Sequence, residues 1–156
     1  MMNDPINPSL VSASRLAYLG DCVFELCARE YLVRRSVRQP SVEALHYVTA
    51  HVQSQAVDKL LPLLTEEEEA QYRRGRNIGH TSAPKSASLS EYRRATGLEA
   101  LFGWLWLMGR QDRLRELFGL AFREDTPDLE REQDTDVGEQ TEPDSDFEPS
   151  DEPEAE

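Results

Sequence analysis

The sequence predicts an all-α domain followed by an acidic, disordered tail. Apolar residues recur three and four positions apart through most of residues 1–123, which is the spacing of helices with one buried face. No alternating apolar run bounded by turn residues appears, so no strand is predicted. The chain of 156 residues is long enough for one domain with its own core.

Charge divides the chain near residue 123, between a domain at 1–123 and a tail at 124–156. The tail has sixteen acidic residues and one basic residue, which leaves 14 acidic against 16 basic residues in the domain, although the whole chain has a net charge of −13. A segment so charged and so poor in aliphatic side chains cannot offset its chain entropy by burial, so we expect disorder. The tail either solubilises the protein or competes with RNA for a basic surface. The overall acidity therefore excludes no nucleic-acid partner for the domain.

The first helix is predicted from Ser12 or Ser14, either of which can cap it, to about Arg34. It carries Cys22 and Cys27, whose spacing of five makes their side chains diverge and gives a bridge between them poor geometry. We therefore expect both to be reduced residues of the core, as in cytosolic proteins. The N-terminal residues show no export or organelle signal, so a cytoplasmic location is expected.

A second helix is predicted after Pro40, which disfavours helical geometry at Gln39. Ser41 can cap this helix, and Pro62 ends or kinks it. One apolar stripe should run along its whole length, through Val42, Leu45, Val48, Val52, Ala56 and Leu60.

The later helices flank a long loop. Thr65 and Glu68 match a capping box for the third helix, which should stop near Gly75. Residues 75–90 are rich in Gly, Ser, Pro and Asn, and long loops inside compact domains are often functional. Ser90 is a possible cap for the next helix, in which residues 95–109 have Glu99 as their only charge. That run is shorter than the roughly 20 apolar residues that span a bilayer, so it should be a core helix. Residues 110–124 should form a final amphipathic helix.

Two carboxylates, Asp21 and Glu99, lie in helices otherwise suited to burial. A buried carboxylate is costly unless a partner or a metal compensates it. Each acid alone could pair with an arginine, whereas a divalent cation between them would satisfy both, and hard oxygen ligands suit Mg²⁺. The small residues near them, Gly20, Ala17 and Gly103, predict that both acids point into a space that side chains do not fill.

A basic cluster brackets the long loop. Arginine with Asn, Ser and Thr donors and flexible glycine is what binding of a phosphate backbone requires, although a solvated helix end and linker accounts for these residues equally well. The candidate RNA-binding residues are Arg73, Arg74, Arg76, Asn77, Lys85, Arg93 and Arg94.

Four blocks of the sequence carry a resemblance to a known family. The segment LAYLGDCVFELCAREYL resembles the signature helix of ribonuclease III, in the version of the short bacterial form, Mini-ribonuclease III, which lacks a double-stranded-RNA-binding domain. The segments LTEEEEAQYRRGRN, the loop with APKSA, and EYRRATGLEALFGWLWL are similar to later blocks of that family in the same order. The resemblance covers about residues 8–118.

The resemblance implies that Asp21 is the catalytic, metal-binding aspartate and Glu99 the metal-binding glutamate. Two further acids of full-length ribonucleases III are here Ala17 and Thr96, a reduction that Mini-ribonuclease III shares. Gly20 would then give clearance beside a bound phosphate. By the same resemblance the protein is an all-helical homodimer that hydrolyses double-stranded RNA with Mg²⁺, leaving 5′-phosphate and 3′-hydroxyl ends, with precursor 23S ribosomal RNA as substrate.

Two other interpretations stay open on the sequence alone. A non-catalytic RNA-binding or ribosome-associated protein could use the same fold, but it should have lost one of the two acids. A helical interaction module could hold Asp21 and Glu99 in pairs with arginines. Magnesium-dependent cleavage of a short duplex, with an Asp21→Asn control, separates the three interpretations.

Overall fold

The computed structural model describes residues 6–79 and 82–123, and within them the chain forms six α-helices and no strand. This confirms the all-α prediction. The described helices belong to one compact unit. The predicted tail, residues 124–156, lies outside the described residues. The helices are α1 (Ala13–Arg34), α2 (Pro40–Tyr47), α3 (Ala50–Leu60), α4 (Glu66–Arg76), α5 (Leu89–Leu107) and α6 (Gln111–Phe122), with short 3₁₀ turns at Pro8–Leu10 and Leu61–Leu63.

Helix α5 is the centre of the fold and packs against α1, α3, α4 and α6. Its residues 100–105 are all buried, as expected for a helix that is apolar on every side. Trp104 is the largest of its fully buried side chains. None of the helices that the structure describes is long and apolar enough to cross a membrane.

Helices α1 and α5 cross with their backbones in contact. A Cβ atom placed on Gly20 would lie 1.6 Å from the carbonyl oxygen of Glu99, and one on Gly103 would lie 2.1 Å from the carbonyl oxygen of Leu16. Because any side chain at either glycine would push the helices apart, the two glycines set the distance between α1 and α5. This crossing places Asp21 and Glu99 on neighbouring helices at the same level.

An aromatic cluster fills the space between α1, α2, α5 and α6. Its rings include Phe24, Tyr47, Phe102, Phe118 and Phe122, and the contact between Phe118 and Phe122 has a centroid separation of 4.7 Å. Two hydrogen bonds fix the end of α6 to this core. The Tyr31 hydroxyl donates to the Phe122 carbonyl oxygen at 2.9 Å. Lys59 Nζ donates to the Ala121 carbonyl oxygen at 3.0 Å.

The single second helix predicted from Ser41 is wrong, because the chain forms α2 and α3 there. Helix α2 has Pro40 as its first residue and Gln39 as its N-cap. At Thr49 the backbone is extended, and the hydroxyl oxygen accepts a hydrogen bond of 3.3 Å from the Val52 amide. This side-chain bond gives the backbone an alternative to continuing the helix, so a new helix starts.

The predicted stripe along this segment is therefore interrupted. Val52, Ala56 and Leu60 on α3 are buried, but Val42 and Leu45 on α2 are 59% and 66% exposed. The change of direction at Thr49 means that the two halves present different faces to the core.

One helix end and one cysteine also differ from expectation. Helix α4 ends at Arg76, next to Gly75 as predicted. Helix α5 starts two residues early, because Ser88 and not Ser90 forms the capping box with Glu91. Both cysteines are free, but Cys22 is exposed and only Cys27 lies in the core, where burial raises the pKa of its thiol to about 11.

Candidate active site

Asp21 on α1 and Glu99 on α5 face the same cleft. The cleft has a volume of about 370 Å³, and Ile78, just after α4, closes one side of it. Ala17 and Thr96 lie about one helical turn before the two acids and line the cleft as well. Both acids thus line an open space, and of the small residues near them Ala17 lines it as well.

Gly20 does not contribute to that space. It is buried in the crossing with α5, and the Glu99 backbone fills the space that a Cβ atom on Gly20 would occupy. The expectation that Gly20 gives clearance beside a phosphate is therefore wrong. Its role is to let α1 approach α5 closely enough for the two acids to share one cleft.

The two carboxylates differ in burial. Asp21 is exposed, so the idea of a buried aspartate is wrong, whereas Glu99 is partly buried. Burial, together with the negative charge of Asp21, raises the pKa of Glu99 to about 8, while the side-chain amide of Gln53 acts in the opposite direction. In the absence of a cation, Glu99 is therefore largely protonated at neutral pH.

In the described part of the chain, neither acid forms an ion pair with a basic residue. The ion pairs of the domain join other carboxylates to arginines or to His51, as in Arg94 with Asp58 and Arg113 with Glu68. This removes the specific premise of the interaction-module interpretation, which required Asp21 and Glu99 to pair with arginines.

The donor set of the cleft fits a hard divalent cation. Two carboxyl groups face one space that no basic side chain lines, and ionising both of them is costly unless a cation compensates the charge. Among the described residues no group of three or more His, Cys, Asp or Glu side chains comes together. A cation here would thus have few protein ligands, which suits Mg²⁺ because it keeps several waters.

Gln53 is the site residue that sequence reasoning missed. It lies on α3, is 1% exposed, and interacts with the Glu99 carboxyl. Its Nε2 atom makes no hydrogen bond of ordinary geometry with any described residue. The sequence signal was a glutamine beside the buried positions of a helix, where a side-chain amide is unfavourable unless it has a hydrogen-bond partner.

Part of the basic cluster forms a second pocket beside the cleft. The pocket has a volume of about 470 Å³, and its polar lining comes from Arg76, Asn77, Arg93 and Arg94. Ile78 lines both this pocket and the cleft with the two acids, so the two spaces are adjacent. Arg76 is exposed, and its Nε donates to Asn77 Oδ1 at 3.3 Å.

The other predicted RNA-binding residues lie outside the lining of this pocket. Arg74 donates to the Val11 carbonyl oxygen at 2.8 Å and to Gln71 Oε1 at 2.6 Å, so its guanidinium holds the segment before α1 against α4. Arg73 pairs with Glu69 one turn earlier on α4. Lys85 is exposed on the loop.

The model of the Ribonuclease III domain family matches residues 14–110, a range that contains both acids of the cleft. The chain belongs to the ribonuclease III family. Membership of the ribonuclease III family makes the protein an endoribonuclease. The match spans α1 to the end of the α5–α6 connection, and thus the elements that build the cleft and the basic pocket.

Relatives of similar length place the chain with the short ribonucleases III. It is 43% identical over 118 residues to Mini-ribonuclease 3 of Symbiobacterium thermophilum, an alignment that covers 74% of this chain and 91% of that protein. It is 41% identical over 113 residues to Mini-ribonuclease 3 of Enterococcus faecalis, covering 69% and 86%.

A crystal structure of a protein from Fusobacterium nucleatum has a similar fold. The two structures superpose with a TM-score of 0.65 at 27% sequence identity, covering 75% of this chain and 96% of that one. The fold of the described helices is thus found in a separate bacterial protein of comparable length.

Proposed function

We propose that the protein is a Mg²⁺-dependent endoribonuclease that cleaves double-stranded RNA. The observation that carries the proposal is the cleft in which Asp21 and Glu99 face one space without a basic partner in the described chain, next to a pocket lined by arginines. One part can hold a cation and the other can hold phosphates, and cleavage of a nucleic-acid strand requires both.

Asp21 and Glu99 are the residues that would hold the metal. Mg²⁺ supplies positive charge to the phosphoryl oxygens and the leaving 3′ oxygen when it is bound, and it favours ionisation of the attacking water. Glu99 would bind the cation as the ionised carboxylate, since metal ligands must be deprotonated. Attack of water on phosphorus would break the bond from phosphorus to the 3′ oxygen, which takes up a proton, and this leaves 5′-phosphate and 3′-hydroxyl ends.

The arginine-lined pocket is the proposed grip on the RNA backbone. Arg76 and Arg93 lie on α4 and α5, and Asn77 lies directly after α4, so the donors are held by two packed helices. RNA duplexes are recognised mainly by shape, through phosphates and 2′-hydroxyls, and arginine suits phosphate oxygens. Lys85 on the exposed loop, with Arg73, Arg74 and Arg94, completes the proposed set.

The finer features follow the similarity to Mini-ribonuclease 3 proteins. We propose precursor 23S ribosomal RNA as the substrate, a cytoplasmic location and a homodimer. The homodimer is supported by large apolar side chains that the single chain leaves exposed to solvent. Tyr18, which lines the cleft, is 86% exposed, and Leu10, just before α1, is 82% exposed.

The decisive experiment is cleavage of a short RNA duplex with and without Mg²⁺ by the wild type and by Asp21→Asn. We expect the variant to lose at least about 100-fold in rate, because the metal contributes several kcal/mol of transition-state stabilisation. Gel electrophoresis of end-labelled duplex measures the rate and the end groups.

The matched control is Cys22→Ser, since Cys22 is the next residue on α1 and is also exposed. It should cleave like the wild type. Equal rates for Asp21→Asn and the wild type would refute the nuclease proposal. Duplex binding without cleavage by the wild type would instead favour the non-catalytic RNA-binding interpretation.

A further inference from the structure

The side chain of Gln53 is an anomaly of the core. It is 1% exposed, yet its Nε2 atom has no hydrogen-bond partner of ordinary geometry among the described residues. A buried amide N–H group left unpaired is destabilising, and an apolar side chain of similar shape would avoid this penalty. Because the Nε2 atom gains no hydrogen bond in the described fold, we looked for a role in the group that lies beside it.

The group beside it is the Glu99 carboxyl, with which the Gln53 amide interacts. Gln53 belongs to α3 and Asp21 to α1, so side chains of two different helices act on the Glu99 carboxyl. Helix α3 packs against α5, and Gln53 is buried and is not one of the residues that line the cleft.

We propose that Gln53 is a positioning residue for Glu99: its buried amide donates to one carboxylate oxygen and thereby turns the other towards the cleft. The inference rests on the proposed metal-dependent function and extends it by one residue. The Nε2 atom has no partner among the described residues, and this bond would form as Glu99 turns towards a bound cation. Hydrogen bonds of this kind orient metal-ligating side chains, and their loss typically costs 10–100-fold in metal affinity.

The test variant is Gln53→Met, which keeps the length and volume of the side chain and removes the amide. Mn²⁺ binding to the full chain, measured by electron paramagnetic resonance of free Mn²⁺, should weaken by about tenfold or more at the site. The Mg²⁺ concentration for half-maximal cleavage should rise by a similar factor. The melting temperature in EDTA should be unchanged or higher, because an unpaired buried amide is removed.

Two controls make the result specific. Gln55→Met changes an exposed glutamine on the same helix and should leave Mn²⁺ binding unchanged. Asp21→Asn measures the Mn²⁺ that binds elsewhere, including to the acidic residues after 123, and this amount is subtracted. If Asp21→Asn binds Mn²⁺ as tightly as the wild type, the metal site itself, and with it the proposed function, is refuted.

Loss of site binding in Asp21→Asn but not in Gln53→Met would refute the positioning role alone. A lower melting temperature with unchanged Mn²⁺ affinity would also refute it, because Gln53 would then be a structural residue. Gln53→Leu repeats the measurement with a second apolar side chain. If both variants lose stability together with Mn²⁺ affinity, Gln53 supports the folding of α3 and the inference is wrong.

Discussion

Glu99 and Asp21 are chemically similar acids in different surroundings. Glu99 is partly buried beside α1 and α3 and has its pKa raised to about 8, while Asp21 is exposed at the mouth of the same cleft. The exposed acid can meet an incoming cation at little cost, and the buried one becomes fully ionised only when a cation compensates it. The arrangement that forms the proposed cation site therefore also lowers the stability of the metal-free protein.

At the residue scale, Glu99→Gln should raise the free energy of unfolding of the metal-free protein at neutral pH by about 2 kcal/mol. The folded state holds the Glu99 proton up to about pH 8, whereas the unfolded chain releases it near 4.5, so the wild type loses stability between these values as pH rises. A glutamine at position 99 has no proton to release, so the variant does not lose stability in this way between pH 4.5 and pH 8. Urea unfolding in EDTA measures the gain, which should shrink towards pH 4.

The control for this substitution is Glu25→Gln on α1. Glu25 forms an exposed pair with Arg29, so its replacement should lower stability slightly or leave it unchanged. Lower stability in Glu99→Gln than in the wild type at neutral pH would show that the ionised carboxylate stabilises the fold, contrary to the burial argument.

At the element scale, Glu68 joins α4 to α6. It completes the capping box of α4 by accepting from the Thr65 amide at 3.0 Å, and it receives two hydrogen bonds of 2.9 Å from Arg113 on α6. Although burial raises the pKa of Glu68, the bonds from Arg113 and Thr65 outweigh it and keep the pKa below its ordinary value. One side chain therefore both starts a helix and positions its neighbour.

Arg113→Ala should lower the free energy of unfolding by about 2 kcal/mol, because it leaves the Glu68 carboxylate buried without its partner. The loss stays below that of a fully buried pair, since the Arg113 side chain is 23% exposed. Glu68 has a lowered pKa when folded, so the pair stabilises above the unfolded value of about 4.5 and the contribution is lost as pH falls further.

Thermal and urea unfolding of Arg113→Ala between pH 4 and pH 7 measure this effect. Arg115→Ala is the control, since Arg115 is half exposed and pairs with Glu30 at the surface. It should change stability little. An equal effect of the two substitutions at pH 7 would contradict the structural role assigned to the Glu68–Arg113 pair.

The element scale also shows which features were predictable. The Thr65–Glu68 box follows from residues a few positions apart and is confirmed. The start of α1 is also confirmed, with Ser12 at the N-cap position, although its side chain makes no capping hydrogen bond. The choice of Ser88 over Ser90 and the break at Thr49 were not, because several neighbouring residues there can cap a helix. Local sequence offers the alternatives, and the packing of the helices selects between them.

At the scale of the whole molecule, the basic pocket and the acidic cleft are placed side by side by the packing of α1 and α4 on α5. Of the proposed RNA-binding residues, Arg76, Asn77, Arg93 and Arg94 line the pocket and are the first to test. Arg74 has a structural task as well, since it holds the backbone at Val11. Its replacement should therefore affect folding and is a poor test of RNA binding.

The double substitution Arg76→Ala with Arg93→Ala should weaken binding of an RNA duplex and leave folding intact. Removing two phosphate contacts should reduce the slope of log affinity against log salt by about 1 to 2. Fluorescence anisotropy in EDTA measures binding without cleavage, and circular dichroism checks the fold. The control is Arg29→Ala, an exposed arginine on α1 that lies outside the pocket.

The control should keep the wild-type affinity and salt slope. An unchanged salt slope in the double variant would exclude the pocket as the phosphate grip. A double variant that loses its helical signal would show that these arginines serve the fold, and the interface would have to be sought elsewhere on the molecule.

Residues close in sequence were enough to specify the helical fold class, the capping of α4 and the apolar core helix. Contacts between distant segments specified the rest: the exposure of Asp21, the Gly20 crossing, the task of Arg74 and the burial of Gln53 beside Glu99. Helix formation and capping depend on neighbours within about one turn, so sequence spacing reveals them. The surroundings of a side chain depend on which helix faces meet, and no spacing within one helix carries that information.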